Sequence, residues 1–279
     1  MRQISSRIVT DAIKDSVIRA NIELNEDVVN ALKHSHEKEE SPVGKEILAS
    51  LLQNAMIAKH ENIPICQDTG LVVAFVELGR EVSIVGGDFN KAIDEGVREG
   101  YKKGFLRKSV CHPFTRENTR DNTPVIIHVQ IVEGDRLTIW LLPKGGGSEN
   151  MSRLFMLLPA EGWLGIKKRV VRTVIEAGAN PCPPTVLGVG IGGNFETAPL
   201  LAKKALLRPL GTPNDDPELN QMEEELLAEV NKTGIGPEGL GGRITSLAVH
   251  IKMMPCHIAS LPVAINIQCH ASRCARIEL

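Results

Sequence analysis

Cys66-Gln67-Asp68-Thr69 sets a thiol, an amide, a carboxylate and a hydroxyl side by side, held between Pro64-Ile65 and Gly70. Such groups together can hold a metal, bind a carboxylate and move a proton. The same residues also make a plain structure: Asp68 and Thr69 capping a tight turn closed by Gly70, with Cys66 as a small core residue. The seven residues alone support both readings equally.

Other thiols sharpen the question. Pro181-Cys182-Pro183-Pro184 frames a cysteine with three prolines, which fix the backbone and exclude a helix or a central strand. A thiol on so rigid a loop is well placed to be a ligand. Cys256, Cys269 and Cys274 offer a third thiol region near the end of the chain. The six cysteines form no CxxC pair, which argues against a zinc finger or ribbon. Three thiolates leave a metal position open for chemistry, where a closed structural site needs four ligands. Ligands from distant loops suit an iron–sulfur cluster better than zinc. Sequence alone does not choose which three cysteines converge.

A further chemical stretch is Pro143-Lys144-Gly145-Gly146-Gly147-Ser148-Glu149-Asn150. Its glycines bring backbone N–H groups close to a partner, and Ser148 is placed to cap a following helix, an anion-binding arrangement. It lacks the spacing and the Lys-Ser/Thr ending of a Walker loop. Gly188, Gly190 and Gly193 match G-x-G-x-x-G, yet they lie within an apolar run rather than in a turn after a strand, so a dinucleotide site is rejected.

The elements that must position these groups follow from periodicity. Residues 5 to 40 have helical spacing, and Ser41-Pro42 starts a helix that delivers the chain to Cys66. Residues 71 to 78 are an apolar, β-branched strand. Gly86-Gly87-Asp88 leads into a helix ending near Gly104, and a polar loop spans Thr115 to Pro124. Val125–Val132 and Leu137–Leu142 read as a hairpin through Glu133-Gly134-Asp135. Helices follow over 165–177, 196–207 and 217–233, with strands at 186–194, 244–253 and 263–267. The expected class is α+β, mixed helices and small sheets forming one cluster-binding domain over residues 1–279.

Composition narrows the function. With 42% apolar and 24% charged residues, the chain has an ordinary globular balance and material for a sizeable core. A net charge of -2, an aromatic content of 3% and no dense basic cluster argue against a nucleic-acid surface. No apolar run is long enough to span a membrane, and the N-terminus lacks a signal peptide's apolar core. A cytoplasmic protein is expected, in which cysteines serve as thiols, ligands or catalytic groups rather than disulfides.

Cys-Gln-Asp-Thr-Gly, Lys-Gly-Gly-Gly-Ser, Cys-Pro-Pro and the closing His-x-Ala-Ser-x-Pro-Val…Cys, in this order and over nearly the whole chain, resemble the N-terminal half of class I, iron–sulfur-dependent fumarate hydratases. The resemblance is closer to the separate alpha subunit of two-chain fumarate hydratases and L-tartrate dehydratases. It implies a 4Fe–4S cluster on Cys66, Cys182 and Cys269, whose open iron binds substrate. It implies substrate contacts at Gln67, Arg107 and Gly147, with Asp68 and His257 as acid–base groups. Cys256 stands where the single-chain enzymes carry an arginine and Leu261 where they carry a cysteine; neither departure touches a ligand. The implied reaction is reversible dehydration of a 2-hydroxydicarboxylate, (S)-malate to fumarate first and L-tartrate to oxaloacetate second. The chain stops where the single-chain enzymes enter a second domain, so a beta subunit is expected to supply the other half of the active site in an α2β2 assembly. A non-catalytic iron–sulfur redox or regulatory protein and a structural subunit are the competing readings from other classes.

Overall fold

The computed structural model describes all 279 residues, Met1–Leu279. In chain order the first elements are β1 (Arg2–Ser5), α1 (Ser6–Ile22), α2 (Glu26–Lys38), α3 (Pro42–Glu61), β2 (Leu71–Gly79) and β3 (Val82–Val85). Then come α4 (Phe89–Lys103), β4 (Ile126–Val132), β5 (Leu137–Lys144), α5 (Gly146–Asn150), β6 (Arg153–Leu157) and α6 (Gly162–Ala177). The chain ends with β7 (Thr185–Gly193), α7 (Thr197–Ala205), α8 (Pro217–Asn231), β8 (Ser246–Cys256), β9 (Leu261–Gln268) and β10 (Ala275–Glu278). The class is α+β, with helices around three small sheets. No helix is long and apolar enough to cross a membrane.

The chain forms two compact units. The first comprises Met1–Asn25, Ala55–Gly145 and Arg273–Leu279; the second comprises Glu26–Asn54 and Gly146–Ser272.

In the first unit a four-stranded sheet runs in the order β10-β5-β2-β4, beside a two-stranded β1-β3 ribbon. The apolar residues of α1 recur every four positions, Val9, Ile13 and Val17, as do Ile93, Val97 and Tyr101 on α4. That spacing gives each helix one apolar stripe. Both stripes close over Val72, Ala74 and Val76 of β2 and Ile139 and Leu141 of β5. The expected helix over 5–40 is two helices, α1 and α2, interrupted at 23–25. The expected hairpin does not form: β2 lies between the two strands, pairing parallel with β4 and antiparallel with β5. The reason lies in β2 itself, whose residues from Val72 to Val76 are all buried. A strand apolar on both faces takes the centre of a sheet.

In the second unit the order is β6-β9-β7-β8, with β7 parallel to β8 and antiparallel to β9. Leu187, Val189 and Ile191 face the core made with Val170 and Val174 of α6 and Leu226 and Val230 of α8. The alternate residues Gly188 and Gly190 lie under α7: a Cβ there would meet the carbonyl oxygens of Ala202 and Ala198 at 2.0 and 2.1 Å. These glycines let a helix backbone rest on the sheet, which is why they match a phosphate motif without forming one.

One buried carboxylate organises the same unit. Glu39, 1% exposed, accepts backbone N–H groups of Glu40 (2.8 Å), Ser41 (3.0 Å), Arg243 (2.9 Å) and Ile244 (2.9 Å). Burial pushes its acid up, but these four donors prevail and hold it below the ordinary carboxylate value of 4.5. Because the folded value is depressed, its stabilisation is present above pH 4.5 and lost as pH falls through the folded value. Glu39→Gln turns an N–H donor toward N–H donors. It should lower unfolding free energy by about 2–4 kcal/mol at pH 7 in urea titrations. An unchanged midpoint would remove Glu39 from its organising role.

Candidate active site

The Cys66 turn joins α3 to β2, as the sequence indicates, and the first unit fixes it from several directions. The N–H of Ile65 donates to the carbonyl of Asn21 at 2.9 Å. The hydroxyl of Tyr101 donates to the carbonyls of Thr69 (2.6 Å) and Gly70 (3.1 Å). Asn122 Nδ2 donates to the Gly70 carbonyl at 3.1 Å, while its Oδ1 takes the N–H of Ser109 at 2.6 Å. Thr69 Oγ1 donates to the carbonyl of Arg107 at 2.7 Å, tying the turn to the Arg107 segment. Gly70, at φ +73°, admits no side chain, because a Cβ would sit 2.6 Å from the Lys144 carbonyl. Burial pushes the Tyr101 phenol up, so it stays a neutral donor.

Within this frame the functional groups have distinct settings. Cys66 is half-buried, and its Sγ accepts the backbone N–H of Asp68 at 3.4 Å and lies 3.3 Å from Gln67 Oε1. Asp68 Oδ1 accepts the N–H of Gly70 at 3.0 Å, so the turn-capping role is real. Its Oδ2 points toward Gly145, 3.2 Å from where a Cβ would stand, and Arg273 Nη2 lies 3.6 Å from that same point. Arg273 is 2% exposed, and its Nη1 donates to Asn21 Oδ1 at 2.9 Å. Gln67 is exposed. Arg107 is also exposed, with no partner on its guanidinium.

The polar loop at 115–124 braces this frame. Asn118 Nδ2 donates to the Lys108 carbonyl at 2.9 Å, and Arg98 Nε donates to Asp121 Oδ2 at 3.0 Å. Burial pushes the Asp121 acid up, yet the Thr123 N–H and the Arg98 guanidinium outweigh it and hold the acid at about 2.

The second unit carries the remaining residues. Cys182 is exposed and sits at φ +54°, a left-handed conformation that a non-glycine residue adopts only when its surroundings impose it. Those surroundings are visible: the Cys182 N–H donates to Ala179, and Glu238 N–H to the Pro183 carbonyl at 2.7 Å. The N–H of His270 donates to the Cys182 carbonyl at 3.2 Å. That last bond sets the Cys182 loop against the residue following Cys269, which is half-buried. Gly147 abuts the same loop, since a Cβ on it would lie 3.0 Å from the Asn180 carbonyl. Ser148 is buried inside the five-residue α5 and does not cap a longer helix. The backbone turns straight into β6, leaving no room for one.

His257 stands apart on an exposed turn after β8. Its Nδ1 accepts the N–H of Ala259 at 3.1 Å, so Nε2 carries the ring proton. It borders a cavity of about 370 Å³ whose lining includes Trp163, Ile166, Met222 and Met253 and no charged side chain.

No three His, Cys, Asp or Glu side chains gather as around a single metal ion. An iron–sulfur cluster instead spreads its ligands over separate corners and takes soft thiolates. Within the second unit, Cys182 and Cys269 are thiols on neighbouring segments joined by the His270 N–H, and within the first unit Cys66 lies in a fixed turn; all three are donors of the soft kind that chemistry uses. Sequence reasoning missed Tyr101, Asn122, Asn21 and Arg273. The one signal was that Tyr101 is the chain's single tyrosine, set in an apolar stripe.

The sequence model of the fumarate hydratase (fumerase) family matches residues 10–278. A protein of Methanocaldococcus jannaschii named "Putative L(+)-tartrate dehydratase subunit alpha" is 44% identical over 97% of this chain and 98% of that protein. The "L(+)-tartrate dehydratase subunit alpha" of Escherichia coli K12 is 32% identical over 95% of this chain and 88% of its own. The chain belongs to the fumarate hydratase family.

Ligand roles are separable by substitution. Cys66→Ser, Cys182→Ser and Cys269→Ser should each cut bound iron about tenfold or more after anaerobic reconstitution, since serine lacks the soft thiolate. Cys111→Ser, Cys256→Ser and Cys274→Ser should keep it. Full iron content in Cys269→Ser would overturn that ligand set.

Proposed function

We propose that this chain is the alpha subunit of a cytoplasmic hydro-lyase that dehydrates a four-carbon 2-hydroxydicarboxylate, with (S)-malate to fumarate as its reaction. Both compact units would act together as one alpha-subunit domain over residues 1–279. The observation that carries the reading is the Cys66–Gly70 turn, in which a thiol and a carboxylate two residues apart are immobilised by Tyr101, Asn122 and Thr69. Membership of the family supports the chemistry.

Cys66, Cys182 and Cys269 would hold a 4Fe–4S cluster. When bound, that group supplies a Lewis-acidic iron for the hydroxyl that leaves. The chain's own residues supply the rest. Arg107 offers an exposed planar fork that matches a carboxylate in two parallel hydrogen bonds. Gln67 and the backbone at Gly147 add polar contacts for substrate. Asp68 has one oxygen fixed by the Gly70 N–H, which holds its carboxylate in a single orientation for proton transfer. His257 would be the second acid–base group, oriented by the Ala259 N–H on its Nδ1.

Gripping a dicarboxylate rigidly needs donors on more than one side, and positioning of that kind contributes about 7 kcal/mol in favourable cases. A beta subunit in an α2β2 assembly would provide the second side. A second substrate reading, L-tartrate to oxaloacetate, is favoured by the names of the two relatives, both called tartrate dehydratase alpha subunits.

The test is a steady-state assay of alpha, beta and their mixture, each with verified iron content, on malate and on L-tartrate. Activity should appear only in the mixture, decay in air and return with iron and reductant. Arg107→Ala in the mixture should lower kcat/KM by about 10- to 100-fold with the cluster spectrum intact. Alpha alone turning over malate at the mixture's rate would refute the half-site reading; preference for tartrate would select the second substrate.

A further inference from the structure

Gln268 is the last residue of β9 and immediately precedes Cys269. It is 0% exposed, yet neither Nε2 nor Oε1 of its carboxamide has a hydrogen-bond partner. Buried amides are normally satisfied, because a donor stripped of water and left unpaired destabilises the fold.

The strand register says where this amide lies. Along β9, Val263, Ile265 and Ile267 point into the core with α6 and α8. Ala264 packs instead with Ala198 and Ala202 of α7, and Asn266 Nδ2 donates to Glu149 Oε2 of α5 at 3.1 Å. By alternation Gln268 shares that second face. The face runs toward the Gly147 turn and ends at Cys269, the residue before the His270 N–H that meets the Cys182 loop. An apolar core would have selected leucine or methionine here. A polar group kept dry with nothing to bond is explained if a bound group completes it.

We propose that Gln268 Nε2–H donates a hydrogen bond to sulfur of the cluster held by Cys269, making Gln268 a positioning residue that raises the cluster's reduction potential and slows its loss. The inference rests on Cys269 being a ligand. A sulfur atom that carries growing negative charge on reduction is stabilised by an N–H, which moves the potential upward.

The experiment compares the wild-type chain with Gln268→Leu, and with Gln268→Met as a more adaptable apolar replacement should leucine not pack. In the cluster-free chain either variant should melt at or above the wild-type temperature, since an unpaired buried amide has been removed. After reconstitution the same variant should lose iron to a chelator about tenfold faster than wild type and titrate at a lower reduction potential. Wild-type potential and iron loss in a variant of normal cluster-free stability would overturn the proposal. So would a lower melting point in both cluster-free variants, which would mean that the amide serves the fold alone. If wild type and Cys269→Ser bind iron equally, the ligand reading itself fails and this inference falls with it, a result no Gln268 variant can produce.

Discussion

The candidate site depends on satisfying backbone carbonyls that the fold has taken out of water. The turn between α3 and β2 cannot bond within a helix or a sheet, so its carbonyls at Thr69 and Gly70 need outside donors. Tyr101 and Asn122 supply them, both fully buried and each reaching from a different segment. Removing the Tyr101 hydroxyl would leave the buried Thr69 carbonyl unpaired, and removing Asn122 would take one of two donors from Gly70 and the acceptor from the Ser109 N–H. The rigidity of Cys66 and Asp68 is therefore a consequence of hydrogen-bond accounting inside the first unit, and not a property of the residues that do the chemistry.

The second unit reaches the same end by a different route. Three prolines limit the backbone around Cys182, but prolines alone do not choose where a thiol points. Direction comes from the donors fixed on the loop's carbonyls: Glu238 N–H on Pro183 and His270 N–H on Cys182. Glu39 holds the start of the 243–245 segment through its bonds to Arg243 and Ile244. In both units hydrogen bonds to the main chain, rather than apolar packing, set the thiol geometry.

This division explains what the sequence could disclose. The joint carrying Cys66 was legible because a capped helix start at Ser41-Pro42 and an apolar strand bracket it, and both signals are local. That Gly188 and Gly190 form no phosphate-binding turn was legible, since they lie inside an apolar run, but their packing against α7 was not. The pairing of β4 and β5 was not legible: their turn sequence suits a hairpin, and the intrusion of β2 depends on how well that strand fits between them. The continuous apolar run Val72–Val76 was the available clue. Ser148 misled for a related reason. It has a cap's chemistry, but α5 ends after five residues and places it inside. Asn21 and Arg273 were out of reach altogether, because a bond between residues 252 positions apart leaves no trace in spacing.

Backbone strain follows the same map. The non-glycine residues at positive φ are Asn62, Phe105, Arg116, Arg120, Asn122, Cys182 and Glu238. Asn62 begins the segment leading to Cys66, and Phe105 stands two residues before Arg107. Arg116, Arg120 and Asn122 shape the brace behind that arginine, while Cys182 and Glu238 belong to the proline-framed loop. Each left-handed residue costs on the order of 1–3 kcal/mol and persists only where its surroundings over-determine it. A chain selected for stability alone would have placed glycine at these positions or avoided the conformation. Retaining bulky residues there is consistent with loops whose shape matters more than their ease of folding, and in this chain those loops are the ones that carry or brace a thiol, a carboxylate and an unpaired guanidinium.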